Sequence, residues 1–568
     1  MIAIDFKNTR LRQKKPKRIL LAEKLEQVQP LIQEVEALWN CGYYVVGFIS
    51  YEASPAFDPR LEVKTNSRLP LAWFAVFRES EKTADNDWMK IGDYHVSDWI
   101  PDSSKASYQQ AIQEIHDAIA RGDSYQVNHS IRLHADFKGD AWAYYRHLTS
   151  LQSGYNAFID TGDFQVVSVS PELFFRWDQD TIVTRPMKGT AKRGRSSKED
   201  QLQAAQLKHS TKDRAENLMI VDLLRNDLGK IAVPGTVYVP HLFTVERYPT
   251  LWTLTSTVQA KTLPTTTLSD VFTALFPCGS ITGAPKRKTM ELIRSLEQSP
   301  REAYCGTVGY LKPGGEAVFN VAIRTVIVDK QKQRAAYGVG GGITWDSTSI
   351  GEYEEVITKA KVLESQPYTH QLLESIRLEN GTYTLLDQHL DRLKQSADYF
   401  GYLFPLDVID QRLKRLAEQF TSGVYKVRLL LSAAGEVALE AEALKEITQT
   451  QRITLAKTPV LSNDIYLFHK TTNRSMYEHH RVDGYFDTLL WNERGEITEF
   501  TIGNVVLEIE GKLVTPHGDA GLLAGTMRAD LLASGEIVER VVYKEEVFQA
   551  SAIWLVNSVR GWVKVRFE

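Results

Sequence analysis

The segment Glu364-Ser-Gln-Pro-Tyr-Thr-His370 constrains the fold more than any other feature. It ends a helical pattern with a proline and polar side chains, and a new strand opens at Leu372 with Asn380-Gly381 as a hairpin turn. The chain has 568 residues, more than one hydrophobic core usually organises. The break therefore predicts two domains, 1–363 and 371–568, joined by a linker over 364–370. Upstream of it, apolar positions recur at helical spacing from Tyr108 to Ala120, and Asp123–Leu133 reads as an alternating strand. Helix and strand signals intermix on both sides of the break, so both domains read as α+β.

The hydrophobic share is 43%, the charged share 24% and the net charge −4, which argues against nucleic-acid and membrane partners and for small diffusible ones. No apolar run approaches the ~20 residues of a membrane span, and the first residues lack a signal-peptide core, so a cytoplasmic location is expected. Cys41, Cys278 and Cys305 are too few and too widely spaced for a disulfide framework or a cysteine metal site. The basic stretch from Arg10 to Arg18 reads as solvated surface.

The spacing predicts a helix over Lys212–Asp222 with Asp213 and Glu216 on one face, and another over Gly351–Lys359 with Glu352 and Glu355 together and Lys359 one turn on. Paired carboxylates suit Mg²⁺, which uses one or two of them plus substrate oxygens and water. The same spacing also fits solvated faces. Three glycine clusters, Gly279–Lys286, Gly306–Gly309 and Gly338–Gly342, read as small-residue loops whose N–H groups approach an anion closely, the first leading into a helix N-terminus. Singly each reads as a tight turn. With Arg324 in the expected strand Phe319–Thr325, they mark a pocket for a small polycarboxylate.

The strings Ser170-Pro-Glu172, Pro186-Met-Lys-Gly-Thr190, Glu216-Asn-Leu-Met-Ile-Val-Asp222, Arg225-Asn-Asp227, the Gly279–Lys286 loop, Ala322-Ile-Arg-Thr325 and Glu352-Tyr-Glu-Glu355 resemble the chorismate-utilising enzymes. The resemblance covers roughly residues 1–363 and implies an anthranilate-synthase-like two-sheet α/β sandwich. It implies that Glu216 and Glu355 hold Mg²⁺, that Arg324 and Tyr310 take the enolpyruvyl carboxylate, and that Lys359 completes the anion site. Ser280, Thr282 and Gly341 fall among the substrate-binding positions, and Glu172 falls where the family places the acid that protonates the departing C4 hydroxyl. Gln126 stands where water-adding members carry a lysine, which implies ammonia as nucleophile. Lys188 stands where anthranilate-forming members usually carry alanine. A lysine there implies attack at C2 of chorismate as the C4 hydroxyl leaves, followed by entry of ammonia at C4. Thr253 replaces the histidine of pyruvate-eliminating members, so this domain is not expected to eliminate pyruvate.

In the second domain Leu386–Leu393 reads as a helix start, and Phe468–Arg474 places a lysine after an apolar strand. A lone lysine is ordinarily on the surface. The later strings Asn492–Asn504 and Gly521–Arg528 change that weighing, because with Lys470 they resemble the fold-type IV pyridoxal-phosphate enzymes over about 370–568. The resemblance implies that Lys470 forms the Schiff base with pyridoxal phosphate, Glu499 salt-bridges its ring nitrogen and Arg392 holds its phosphate. Thr526 and Met527 would add backbone N–H donors, and Ser558 a hydroxyl.

The two resemblances together imply amination of chorismate at C4 and then loss of pyruvate to leave 4-aminobenzoate. Anthranilate formation in the first domain, and a transaminase or a non-catalytic docking scaffold in the second, stay open on the sequence. None of the three cysteines lies in a G-x-C-x-G setting, so a separate glutamine amidotransferase subunit is expected to supply ammonia. The second resemblance also implies a homodimer through the pyridoxal-phosphate domain.

Overall fold

The computed structural model describes residues 1–80, 88, 92–152, 154–366 and 368–568. They form two compact units, one of Met1–Lys192 and Ala204–Pro367, the other of Arg193–Gln203 and Tyr368–Glu568. The segment Arg193–Gln203 is an excursion that a linear boundary at 364–370 does not contain. It belongs to the second unit because Arg193, paired with Asp200 at 2.7 Å, donates to the Tyr399 carbonyl at 2.8 Å and lies over the Tyr399 ring.

The first unit has two 10-stranded sheets among the described residues. They face each other across an apolar layer that interleaves Ile4 and Val166 of one sheet with Phe48 and Trp73 of the other. Helices cover the outer faces. Leu25–Asn40, Thr211–Gly229 and Leu268–Leu275 pack on one sheet, and Lys105–Ala120, Ala141–Leu151 and Ser349–Ala360 on the other. The helix Lys105–Ala120 follows from its sequence: Ser104 caps it by accepting from the Ser107 N–H, and Tyr108, Ile112 and Ile115 bury at helical spacing.

Two expectations change here. The strand expected over Asp123–Leu133 runs Gln126–Gly139, and its first eight residues are buried without alternation, because it lies inside the sheet with a helix layer on one face and the partner sheet on the other. The cluster Gly338–Gly342 is no loop. It lies within the strand Arg334–Ile343, paired residue for residue with that same strand.

A buried ion pair fastens the edge of the future site. Arg301 binds Glu297 at 2.5 Å and donates to the carbonyls of Ile281 and Asn128, each at 2.7 Å, so one guanidinium ties the Gly279 loop to the long strand. Burial by itself would raise the Glu297 carboxyl, and Arg301 holds it below the usual carboxylate range instead. Removing one partner strands the other charge in the interior. Arg301→Met is therefore expected to destabilise the first unit by about 3–5 kcal/mol, read by urea unfolding; a loss under about 1 kcal/mol, the scale of an exposed pair, would contradict the role given to it.

In the second unit a four-stranded sheet, ordered Thr382–Tyr383, Leu372–Glu379, Val424–Leu431, Val437–Ala443, packs on the helices Leu386–Phe400 and Leu406–Gln419. The expected Asn380-Gly381 hairpin is there, with Glu379 opposite Thr382. An eight-stranded mixed sheet builds the rest around Ile453, Leu489, Val505 and Leu555.

Candidate functional sites

In the first unit the acidic helix faces, the glycine strand and Lys188 surround one cavity of about 310 Å³. Its position follows from the sandwich. The strand Glu316–Val321 belongs to one sheet and Thr325–Asp329 to the other, and the chain crosses between them at Ala322–Arg324. Arg324 is thus not inside a strand as expected; its φ of +50° marks the crossover, which turns its guanidinium into the cavity beside Gln152 and Tyr337.

Glycines make the room. A Cβ on Gly342 would stand 2.0 Å from the Gln126 amide nitrogen and 3.0 Å from the Lys188 Nζ, and one on Gly341 would stand 3.0 Å from a Glu352 carboxylate oxygen. Any side chain there would displace the polar groups. Both amide atoms of Gln126 are buried without a hydrogen-bond partner among the described residues, as is Oε1 of Glu172. Unsatisfied buried groups beside a cavity are what an incoming polar ligand completes.

Lys188 sits with Glu172 and Glu216 around it. Burial pushes its amine below the usual lysine range, against the pull of those two carboxylates. Burial likewise raises Glu172 to about 7, with Ser280 and Lys188 opposing. A carboxyl at that value is half protonated at neutral pH and can serve as an acid.

Glu216, Glu352 and Glu355 reach the cavity from the helices Thr211–Gly229 and Ser349–Ala360. Lys359 binds Glu355 at 2.7 Å and donates to the Gly340 carbonyl at 3.0 Å, while Glu352 accepts from Ser347 at 2.6 Å. Glu216 has no hydrogen bond or close ion pair with any described residue, and burial raises it. No three metal-ligating side chains gather into a complete cage among the described residues. Hard oxygen donors, one of them without a hydrogen bond, facing a cavity where substrate oxygens would complete the shell fit Mg²⁺.

Three expected residues do not line the cavity: Gln126 stands behind Gly342, and Tyr310 and Thr282 lie elsewhere. Tyr310 points into the apolar layer between the sheets, its hydroxyl hydrogen-bonded with that of Thr9 at 2.9 Å and with the Glu316 carboxylate at 3.1 Å, because side chains alternate along the strand Thr307–Lys312. Tyr304, just before that strand, lines the cavity instead, its ring filling the space over Gly338. Thr282 spends its hydroxyl on the carbonyls of Cys278 and Gly279 and does not line the cavity. Nor does any residue of the helix Lys286–Leu296, which follows the Gly279 loop, line the cavity. Thr253 does line it, but its hydroxyl donates to the Gly189 carbonyl at 3.0 Å.

The second unit holds a cavity of about 340 Å³ around Lys470. The apolar strand expected before Lys470 is a short 3₁₀ turn, Ile465–Leu467, and the lysine is anchored by its carbonyl, which accepts from the Leu373 N–H at 3.0 Å. Burial, with Arg392 and Arg474, lowers the amine to about 7. Across the cavity Glu499 accepts from the Tyr477 hydroxyl at 2.7 Å and from the Leu523 N–H at 3.1 Å, and burial still raises it to about 7. A buried carboxylate left short of positive charge suits a protonated ring nitrogen.

Arg392, Thr526 and Ser558 converge at the other end through residues the sequence reading missed. Glu374 binds Arg392 at 2.5 Å and His389 Nδ1 at 2.7 Å, and His389 Nε2 meets the hydroxyls of Ser558 at 2.9 Å and Thr526 at 3.2 Å. Burial would raise Glu374, but Arg392 and His389 hold it down at about 2. His389 stands three residues before Arg392 on one helix, a same-face spacing that marks it in the sequence. The helix Thr526–Ala533 begins after Gly525, where a Cβ would stand 2.1 Å from the Asn504 amide oxygen. Its first N–H groups, including that of Met527, are free of intrahelical partners, whereas the Met527 side chain packs into a separate apolar cluster. Two hydroxyls, an arginine and a helix start fit a phosphate, and with Lys470 and Glu499 the set fits pyridoxal phosphate.

The chorismate binding enzyme family matches residues 3–365, and the amino-transferase class IV family matches residues 371–566. Aminodeoxychorismate synthase component 1 of Salmonella typhimurium is 41% identical over 265 residues, 46% of this chain and 58% of that protein, so the chain spans a little under three fifths of that relative's length. Anthranilate synthase component 1 of Saccharolobus solfataricus is 33% identical over 350 residues, 59% of this chain and 82% of that protein. The crystal structure of anthranilate synthase component I from Streptococcus pneumoniae superposes with a TM-score of 0.55 at 26% identity, over 64% of this chain and 92% of that one.

Proposed function

Since this chain belongs to the chorismate binding enzyme family, we propose that its first unit aminates chorismate at C4 and its second removes pyruvate from the product, giving 4-aminobenzoate. The observation that carries the reading is Lys188: a half-buried amine, pushed below the usual lysine range by burial, between Glu172 and Glu216 in the cavity that Arg324 and the acidic helices share. A solvated surface lysine has neither the burial nor the neighbours.

Lys188 attacks C2 while Glu172 protonates the C4 hydroxyl as it departs. Ammonia then enters at C4 and the lysine leaves C2, so the ring gains an amine where the hydroxyl was. Gln126, its amide unsatisfied beside Lys188 and Gly342, positions the ammonia. Mg²⁺ held by Glu216 and Glu355 would neutralise the ring carboxylate, and Arg324 takes the enolpyruvyl carboxylate. The similarity to proteins named aminodeoxychorismate synthase component 1 supports this branch. A separate glutaminase as ammonia source accords with their being one component.

Pyruvate loss falls to the second unit, because the Thr253 hydroxyl is committed to a backbone carbonyl. Pyridoxal phosphate would supply the electron sink. Lys470, half neutral at about pH 7, takes the proton from C4, and the enolpyruvyl group leaves C3 as the ring becomes aromatic. Among the described residues no helix is long and apolar enough to cross a membrane.

Incubating the purified protein with chorismate, ammonium, Mg²⁺ and pyridoxal phosphate is expected to yield 4-aminobenzoate and pyruvate in equal amounts. Anthranilate as the product would overturn the first assignment, and aminodeoxychorismate accumulating with the cofactor present would overturn the second.

Glu172 gives a pH signature. Glu172 works as the acid and Lys188 as the free amine, so at constant free ammonia kcat for amination is expected to pass through a maximum, limited on the alkaline side by ionisation of Glu172 and on the acid side by protonation of Lys188. Glu172→Gln is expected to lose roughly 10²–10⁴-fold in kcat and this alkaline limb with it. A variant that keeps the limb places the acid elsewhere.

A further inference from the structure

In the second unit three cations face the cavity around Lys470 without a carboxylate within ion-pair distance among the described residues. They are Lys426 from the strand Val424–Leu431, Arg474 four residues after Lys470, and Arg560 two residues after Ser558. Neighbouring cations are already matched: Arg428 binds Glu440 at 2.8 Å and Arg392 binds Glu374. Arg474 donates to the Thr501 carbonyl and lies over the Tyr477 ring at 4.2 Å, and Arg560 donates to the Lys445 carbonyl at 3.2 Å. Neutral partners of this kind fix a guanidinium in place and leave its charge for a ligand.

The cavity lining therefore holds far more positive than negative charge. Its one acidic side chain among the described residues is Glu499, already engaged by Tyr477 and Leu523. A cofactor phosphate is served at the opposite end by Arg392, Ser558 and Thr526, and it does not call for three more cations from separate elements.

We propose that Lys426, Arg474 and Arg560 hold the two carboxylates of the substrate, making the second site selective for a cyclic dicarboxylate over monocarboxylic amino acids. This rests on the lyase reading and deepens it, since aminodeoxychorismate carries one carboxylate on the ring and one on its enolpyruvyl arm. An ordinary amino-acid donor has a single α-carboxylate and would leave this charge unmatched.

The test uses the whole 568-residue chain loaded with pyridoxal phosphate. Benzoate and benzene-1,3-dicarboxylate are titrated against the cofactor's visible absorbance, which reports the second site alone. The dicarboxylate is expected to bind at least ~10-fold more tightly, one carboxylate's charge-assisted hydrogen bonds amounting to that much or more. In Lys426→Met and Arg560→Met that preference is expected to shrink, and KM for aminodeoxychorismate to rise by about tenfold, with the visible absorbance kept. Equal binding of the two acids, or both variants with wild-type KM, would overturn the proposal. A wild-type protein that releases no pyruvate from aminodeoxychorismate would overturn the lyase reading instead, and the ligand comparison then decides the dicarboxylate preference by itself.

Discussion

Lys470→Ala is expected to convert chorismate and ammonium to aminodeoxychorismate and to stop there, with pyruvate release down by at least ~10³-fold, or about 4 kcal/mol of lost transition-state stabilisation. The magnitude follows from two duties falling on one amine. It is the cavity's lysine that Glu499, Arg392 and Arg474 surround, half-buried, and burial with Arg392 and Arg474 brings it to about 7, where an amine can both condense with a carbonyl and accept a proton. Alanine leaves the Glu374, His389 and Arg392 network intact, so phosphate binding should survive in weakened form while the visible absorbance of the covalently held cofactor is lost. Amination, carried by other residues, should continue at the wild-type rate. Spectra and chromatography of the products check each part, and pyruvate release at the wild-type rate would remove Lys470 from the chemistry.

Lys188→Ala is expected to abolish both products from chorismate, with amination down by at least ~10³-fold, while aminodeoxychorismate supplied from outside is still cleaved. Removing the amine removes the covalent route to C4, and nothing else in that cavity takes its place: Lys359 is bound to Glu355 and the Gly340 carbonyl, and Lys212 stands on an exposed helix position. Lys188→Arg separates charge from nucleophilicity, since a guanidinium keeps the positive charge but stays protonated. It is expected to fail as completely as alanine. Amination rescued by arginine would show that Lys188 acts only as a cation.

The sequence displayed much of this, for physical reasons that can be traced. Helical spacing placed Glu216 and Glu355 on their helices because such spacing reports a face directly, and the motif around Lys188 placed it in the same cavity. What spacing does not report is the direction of a side chain near a strand end. Tyr310 and Tyr304 flank the same glycine-rich segment, and only the pairing of the strand Thr307–Lys312 decides that Tyr310 faces the apolar layer and Tyr304 the cavity. The glycine strand Arg334–Ile343 looked like a loop for a related reason. Glycine lowers strand propensity, and here it is tolerated because Tyr304, Gln126 and Glu352 occupy the space its side chains would need.

Arg324 shows another limit. Its run of apolar neighbours continues the strand pattern, yet the chain leaves one sheet at Val321 and enters the other at Thr325, a switch set by the packing of two sheets and invisible in a local window. The Glu374–His389–Arg392 network was half visible. The spacing of His389 and Arg392 lies within one helix, but Glu374 comes from a strand, so its part depends on tertiary placement.

In the proposed sequence nitrogen enters at C4 in the first unit and stays on the ring through the second. Supplying ¹⁵N-ammonium with chorismate, Mg²⁺ and pyridoxal phosphate, and identifying the labelled aromatic acid by chromatography and mass spectrometry, tests it most directly. The expected result is ¹⁵N in 4-aminobenzoate, matched by an equal amount of pyruvate. Label in 2-aminobenzoate, or in an amino acid with no aromatic product formed, would contradict it.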